Sequence, residues 1–209
     1  MSKSIKYLVI LSALHGGLLV AANAAGAKLI AVGPFAASAT VFIYAFSFLI
    51  TDIVSELYGK KIANILVWVG FVAVTVAVAI FQIAVHAPSA SFFKAQGAYE
   101  TVFGLTWRIL LGGLIAYLVS QFHDVWIFHR LKLLTKGKHL WLRNNLSTII
   151  SQLIDSIIFI TIAFYGVVPE LYKLIAGQYI IKVVIAILDT PVAYIVIGFL
   201  KRNTDIENG

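Results

Sequence analysis

Apolar residues without any Asp, Glu, Lys or Arg form three long runs in the first half of the chain. The first run extends from Tyr7 to Ala27 and the second from Leu29 to Thr51. The third extends from Ile62 to about Val85, and Pro88 with the Ser/Ala-rich segment around it predicts the end of that helix. About 20 apolar residues in a helix cross the hydrocarbon core of a bilayer, so each run predicts a transmembrane helix.

Three further apolar stretches, in the second half of the chain, contain charged residues. They extend from roughly Thr106 to Phe128, from Asn144 to Val168 and from Leu174 to Leu200. They reach spanning length only if these residues lie inside them: Arg108, Asp124, Asp155, Lys182 and Asp189. A charged side chain at the centre of a membrane helix costs roughly 2.5–3.5 kcal/mol on insertion scales, so such residues usually face a partner, a cavity or a pathway.

The pattern as a whole predicts an all-α polytopic membrane protein, a single domain with about six transmembrane helices. The predicted spans are roughly 5–27, 34–54, 62–86, 106–128, 144–168 and 174–200. Clusters of Lys and Arg alternate with loops that carry one lysine each, namely Lys28, Lys94 and Lys173. Because cytoplasmic loops carry the basic excess, both termini are predicted to be cytoplasmic.

The first run also has features of a secretory signal peptide. Lys3 and Lys6 precede it, and Ala22-Asn23-Ala24 has the small residues of a cleavage site. Cleavage would leave five spans and would break the alternation of basic and lysine-poor loops. We therefore predict that the first helix is retained.

Composition supports the membrane assignment and narrows the chemistry. The chain is 61% hydrophobic and 12% charged, whereas a soluble domain is roughly 45–50% apolar and about 25% charged. The net charge of +7 follows from topology and needs no nucleic-acid partner. Cysteine is absent, which excludes thiolate catalysis and thiolate metal sites. The five histidines are scattered and no H-E-x-x-H motif is present, so we predict no metal, no cofactor and no enzymatic activity.

Polar residues recur at helical spacing in the fourth and fifth spans. One stripe contains Tyr117, Gln121, Asp124 and Phe128, and the other contains Thr148, Gln152, Asp155 and Phe159. The segments 120–128 and 151–159 agree at five of nine positions, with Ser, Gln, Asp, Ile and Phe in common. Because successive spans run in opposite directions, this predicts a short inverted repeat, and transporters often bind substrate between such halves. Hydrogen bonding that merely ties two helices together is the alternative.

In the sixth span, Lys182 and Asp189 lie seven residues apart on one helix face, and at about 10 Å they are too distant to pair with each other. We expect Lys182 to pair with Asp155 or Asp124.

Acids outnumber bases by two within or at the edge of the spans, which favours a cationic substrate, a bound proton or a ligand with N–H donors. The candidate substrate-binding residues are Asn23, Asp52, Arg108, Tyr117, Gln121, Asp124, Gln152, Asp155 and Lys182. Snorkelling to the interface is the alternative for Arg108, and helix packing is the alternative for Asn23. We expect Glu56 to lie at a solvated helix end.

Several motifs together resemble the queuosine precursor transporters, also called the vitamin uptake transporter family. They are the segment around Asn23, Phe48-Leu49-Ile50-Thr51-Asp52-Ile53-Val54-Ser55-Glu56-Leu57-Tyr58-Gly59, Arg108 followed by Ala116-Tyr117 and Gln121-x-x-Asp124, Leu140-Trp141-Leu142-Arg143, Ser147-Thr148, Asp155 to Phe164, and Lys182 before Pro191 and Tyr194. The resemblance covers nearly the whole chain. It implies an inner-membrane importer of 7-cyano-7-deazaguanine and 7-aminomethyl-7-deazaguanine, with Tyr117, Phe128, Phe159 or Trp141 stacking on the base.

The substrate-binding subunit of an energy-coupling-factor vitamin importer is the nearest alternative, because such subunits are also small six-helix proteins. An intramembrane enzyme and a purely structural membrane protein are further alternatives. The expected partners are a small-molecule substrate and the lipid bilayer, and a homodimer is left open. The motifs do not determine the coupling ion or the requirement for an ATPase module.

Overall fold

The computed structural model describes residues 2–25, 28–33, 35–104, 107–166 and 169–203. Its helices are α1 (Lys3–Ala25), α2 (Val41–His86), α3 (Gln96–Phe103), α4 (Trp107–Leu134), α5 (Leu140–Phe164) and α6 (Leu171–Asn203). Two short strands, β1 (Leu29–Val32) and β2 (Phe35–Ser38), lie between α1 and α2. All the described helices except α3 are long and apolar enough to cross a membrane. This confirms the prediction of an all-α polytopic membrane protein.

Helix α2 has 46 residues, which at about 1.5 Å per residue is roughly twice the thickness of a bilayer core. Gly59 interrupts it with φ 79° and ψ 174°, a conformation outside the helical region. The Tyr117 hydroxyl donates a hydrogen bond to the Val67 carbonyl (3.0 Å), and Gln121, one turn further along α4, donates to the Ser47 hydroxyl (3.4 Å). Residues on opposite sides of Gly59 thus lie against the same part of α4, so the chain reverses at Gly59. Two consecutive spans require such a reversal.

The segment before α2 differs from the prediction. The span predicted from residue 34 begins only at Val41, because β1 and β2 pair antiparallel, with Leu29 opposite Ser38 and Val32 opposite Phe35. Gly33 occupies the turn with φ 58°, a conformation that glycine adopts without strain. The prediction of helix over residues 35–38 was therefore wrong.

The bundle has an apolar surface, and its interior combines a hydrophobic core with many buried polar side chains. Ile83, Leu188 and Ile195 are 69–71% exposed, whereas all four residues of the α4 stripe are at most 3% exposed. Apolar side chains on the outside and polar side chains inside suit a bundle surrounded by lipid, where the bilayer cannot satisfy polar groups.

Candidate functional site

Polar residues, most of them buried or partly buried, form three layers along the bundle, ordered by their positions on each helix. We define the cavity layer by Asn23, Tyr44, Asp155, Gln178 and Lys182. The acid layer contains Asp52, Asp124 and Asp189, and the ionic layer contains Glu56, Lys132, Arg143 and Lys201. Along α2, for example, the order is Tyr44, Asp52 and Glu56, and along α6 it is Lys182, Asp189 and Lys201.

The cavity layer surrounds an internal space of about 580 Å³, part of which is open to solvent. The cavity is narrow, because only about 50 Å³ of this space is wide enough for a water molecule. Its walls come from the end of α1, the β2–α2 junction, the start of α4, the end of α5 and the start of α6. The lining residues are Ala22, Asn23, Ser38, Thr40, Val41, Tyr44, Ile109, Leu110, Gly113, Ala116, Asp155, Phe159, Gln178 and Lys182.

A buried ion pair between Lys182 and Asp155 forms one wall of the cavity. Both residues are at most 5% exposed. The Ser120 hydroxyl donates to Asp155 Oδ1 (3.3 Å), and the Lys182 ammonium lies 5.9 Å from the centre of the Tyr44 ring. Burial of two charges is tolerated because they neutralise each other and are hydrogen-bonded.

The other polar residues of the cavity add neutral groups. The Asn23 amide donates to the Leu19 carbonyl (2.9 Å), and its side chain also interacts with the Tyr44 hydroxyl. Gln178, 5% exposed, lies one turn before Lys182 on α6, and Phe159 supplies an aromatic face. The cavity therefore offers a carboxylate, an ammonium group, two amides and two aromatic rings, a set that suits a planar heterocycle with donors and acceptors on its edge.

The acid layer differs from the cavity layer, because its carboxylate side chains lie against other carboxylates. Asp52 and Asp124 are 1% and 0% exposed, and their side chains interact directly. The Thr148 hydroxyl donates to Asp52 Oδ2 (3.2 Å). Within the described ranges, Asp52 Oδ1 and both carboxylate oxygens of Asp124 lack a partner in hydrogen-bonding geometry.

The ionic layer is centred on Glu56. Its carboxylate lies 2.6 Å from Arg143 Nη2, 3.6 Å from Lys132 Nζ and 3.7 Å from Lys201 Nζ. Arg143 is 1% exposed, and its guanidinium group lies 5.4 Å from the centre of the Phe128 ring. These contacts join α2, α4, α5 and α6 at one end of the bundle, so the expectation of a merely solvated helix end at Glu56 was wrong.

The residues predicted to bind substrate lie in different layers of the bundle. Asn23, Asp155 and Lys182 line the cavity, and Lys182 has one of its two expected partners. Asp52 and Asp124 lie in the acid layer. Gln152 is 0% exposed, with neither amide atom partnered within the described part of the chain.

The remaining predicted residues lie elsewhere in the bundle. Gln121 contacts Ser47, and Tyr117 contacts Val67 and His15. Arg108 belongs to α4, but its side chain lies outside the described residues. Of the four aromatic residues expected to stack on substrate, Phe159 lines the cavity, whereas Phe128 packs under Arg143 and Trp141 is 52% exposed.

Four polar residues of the cavity were not predicted from the sequence, namely Tyr44, Gln178, Ser38 and Thr40. Gln178 precedes Lys182 by four residues, so helical spacing places it on the same face and was a usable signal. Tyr44 carries no charge and lies in an otherwise apolar run. Ser38 and Thr40 stand at a junction that was assigned to helix.

A bundle of membrane-length helices whose interior contains a polar cavity with ionised walls has the construction of a small-molecule transporter. Residues 38–196 match the family described as "Putative vitamin uptake transporter", and the chain belongs to this family. It is 32% identical over 182 residues to the "Probable queuosine precursor transporter" of Bacillus subtilis (strain 168), covering 86% of this chain and 80% of that protein. No solved structure matches the chain. The resemblance found from the motifs is confirmed.

Proposed function

We propose that the protein imports deazaguanine bases, 7-cyano-7-deazaguanine and 7-aminomethyl-7-deazaguanine, across the cytoplasmic membrane, and that it catalyses no reaction. The name of the Bacillus subtilis relative supports the substrate class. The observation that carries the proposal is the cavity with its Asp155–Lys182 pair. A homodimer remains a prediction.

The chemistry of a deazaguanine complements this cavity. The ring N–H and the exocyclic amino group donate to the Asp155 carboxylate, and the ring carbonyl accepts from Lys182 or from the Gln178 amide. Tyr44 and Phe159 provide aromatic faces for the purine-like ring. The room inside is small, so binding requires the surrounding helix ends to separate slightly, as expected for a transporter that changes conformation.

The orientation follows from the basic residues. If the Lys- and Arg-rich ends face the cytoplasm, the ionic layer lies on the cytoplasmic side and the cavity layer on the outer side. Glu56 and its three basic partners then close the inner end while the cavity opens outward. Alternating access would break these ion pairs and close the helix ends around Asn23 and Tyr44.

Uptake of isotope-labelled 7-cyano-7-deazaguanine tests this function in bacterial cells that can neither synthesise the base nor produce an energy-coupling-factor module. We expect the wild-type protein to restore uptake without that module. The substrate-binding subunit of a vitamin importer would not restore uptake, because such a subunit requires the module. Asp155→Asn should lower uptake by about 10- to 100-fold, because a hydrogen bond to a charged group contributes roughly 1.5–3 kcal/mol. Asn23→Ala should lower uptake by less, about 2- to 10-fold, because a hydrogen bond between neutral groups contributes roughly 0.5–1.5 kcal/mol.

Glu170→Gln is the matched control, because Glu170 is an exposed acid paired with Lys173 outside all three layers. It should transport like the wild type. All variants are compared at equal amounts of protein in the membrane. Wild-type uptake no higher than in cells without the protein would refute the proposed function.

A further inference from the structure

The two acids of the inverted repeat have reciprocal contacts but different environments. Ser120 of the first repeat donates to Asp155 of the second (3.3 Å). Ser151 of the second lies beside Asp124 of the first, where its hydroxyl contacts His123 (3.4 Å). Asp155 meets the ammonium group of Lys182. Asp124, the equivalent residue, meets the carboxylate of Asp52 instead. The repeat thus places one acid at the cavity and the other where the described residues supply no counterion.

No ion pair joins the acid layer to a lysine or arginine anywhere in the described ranges. The nearby bases are engaged elsewhere, Lys182 with Asp155 and Arg143 with Glu56. Asp189 from α6 and the hydroxyls of Ser147, Thr148 and Ser151 from α5 face Asp52 and Asp124. His123 on α4 contacts the same Ser151 hydroxyl (3.4 Å). Ser55, three residues from Asp52 on α2, is 0% exposed and its hydroxyl is also without a partner in the described structure.

Two adjacent carboxylates buried without a cation are strongly unfavourable, because each loses hydration and each repels the other. A cation bound between them removes both costs. The described residues contain no group of three or more His, Cys, Asp or Glu arranged to hold a metal ion. A proton suits the pair better, since one hydrogen bond between two carboxylates needs only one proton.

We propose that Asp52 and Asp124 together bind a transported proton, and that the proton gradient drives substrate import through this pair. The inference rests on the proposed function and adds its driving force. The proton binds to a carboxylate oxygen from the outer side and is released from the same oxygen to water on the inner side. Ser120 lies one turn from Asp124 on α4 and contacts Asp155, so the proton site and the cavity share the α4–α5 interface.

Transport assays with purified protein in liposomes test the driving force separately from substrate recognition. An outside-acid gradient of one pH unit should raise the internal concentration of labelled 7-cyano-7-deazaguanine up to about tenfold over the outside, for one proton per substrate. Addition of substrate should acidify the interior, as read by a trapped pH-sensitive dye. Asp52→Asn and Asp124→Asn should lose both effects and retain exchange of internal for external substrate. Glu170→Gln should retain all three.

The outcomes distinguish the two proposals. Exchange without any response to the pH gradient would overturn the proton site and leave the proposed function standing. Accumulation driven by a sodium gradient alone would also overturn it. If the wild type shows no exchange of substrate, the proposed function fails. Infrared spectroscopy of the substrate-free protein then still tests whether Asp52 and Asp124 bind a proton. The wild type at neutral pH should show a protonated-carboxyl C=O band that is diminished in Asp52→Asn and Asp124→Asn, and a wild type without such a band refutes the proposal.

Discussion

At the scale of single residues, the pairing of Lys182 with Asp155 has consequences for stability as well as for binding. Each charge is buried, and each is tolerated only because the other is present. Removing one partner leaves an unpaired charge, which typically costs about 3–5 kcal/mol, whereas replacing both by apolar side chains is often neutral.

We therefore predict that Lys182→Met is less stable than the double variant Lys182→Met with Asp155→Leu. The single variant should unfold at a clearly lower temperature, and the double variant should recover most of the difference. Thermal unfolding in detergent measures both, and neither should transport. A double variant as unstable as Lys182→Met would show that the two charges do not compensate each other.

Helical spacing predicted much of the site at this scale. It placed the α4 stripe in the interior, and it left Asp155 and Asp124 as the two candidates to pair with Lys182. Spacing shows which residues share a face of one helix, but it does not show which face meets which neighbour. The separation of Asp155 from Asp124 into different layers depends on those contacts between helices and needed the structure.

At the scale of elements, the reversal of α2 depends on one residue. Gly59 has φ 79° and ψ 174°, a region that is essentially restricted to glycine. Nothing lies within 4 Å of the position that a Cβ atom would take there, so a side chain would meet no steric clash. The cost of substitution is thus confined to the backbone.

Gly59→Ala should lower the free energy of unfolding by about 1–3 kcal/mol, because alanine does not adopt this conformation without strain. Gly17→Ala is the matched control, since Gly17 lies inside α1 and also has open space at its Cβ position. This control should be neutral or slightly stabilising. Thermal unfolding of both variants compares them, and equal stability would contradict the role given to Gly59.

The hairpin before α2 shows why one element was mispredicted. Residues 29–38 are almost all apolar, so they show neither the two-residue period of a half-buried strand nor the period of a helix. The long helices were predictable because bilayer thickness requires long apolar runs. A short apolar segment between two such runs has no comparable constraint.

At the scale of the whole molecule, Glu56 joins four helices at the end opposite the cavity. In the orientation proposed above, release of this ionic layer is the step that opens a path toward the cytoplasm. The chain contains no cysteine, so a single introduced cysteine reports accessibility without background.

Glu56→Gln should therefore shift the protein toward an inward-open conformation. In a Ser55→Cys background, labelling by a membrane-impermeant maleimide from the cytoplasmic side should be about tenfold faster, because charge-assisted hydrogen bonds worth roughly 1.5–3 kcal/mol are lost. Glu170→Gln in the same background should not change the rate. An unchanged rate in Glu56→Gln would exclude Glu56 from control of the inner end.

The β1–β2 hairpin brings non-helical backbone to the wall of the cavity. A two-stranded sheet has open edges, and their unpaired backbone groups are not tolerated in hydrocarbon. Such backbone is tolerated at membrane depth only where it is buried in protein or lines a water-filled cavity. Strand β2 meets this condition, because Ala37 is 0% exposed and packs with Val41 and Ile181. Ser38 and Thr40 belong to the cavity wall. The hairpin and the turn after it thus contribute two hydroxyl groups to the cavity wall from a segment that is otherwise almost entirely apolar.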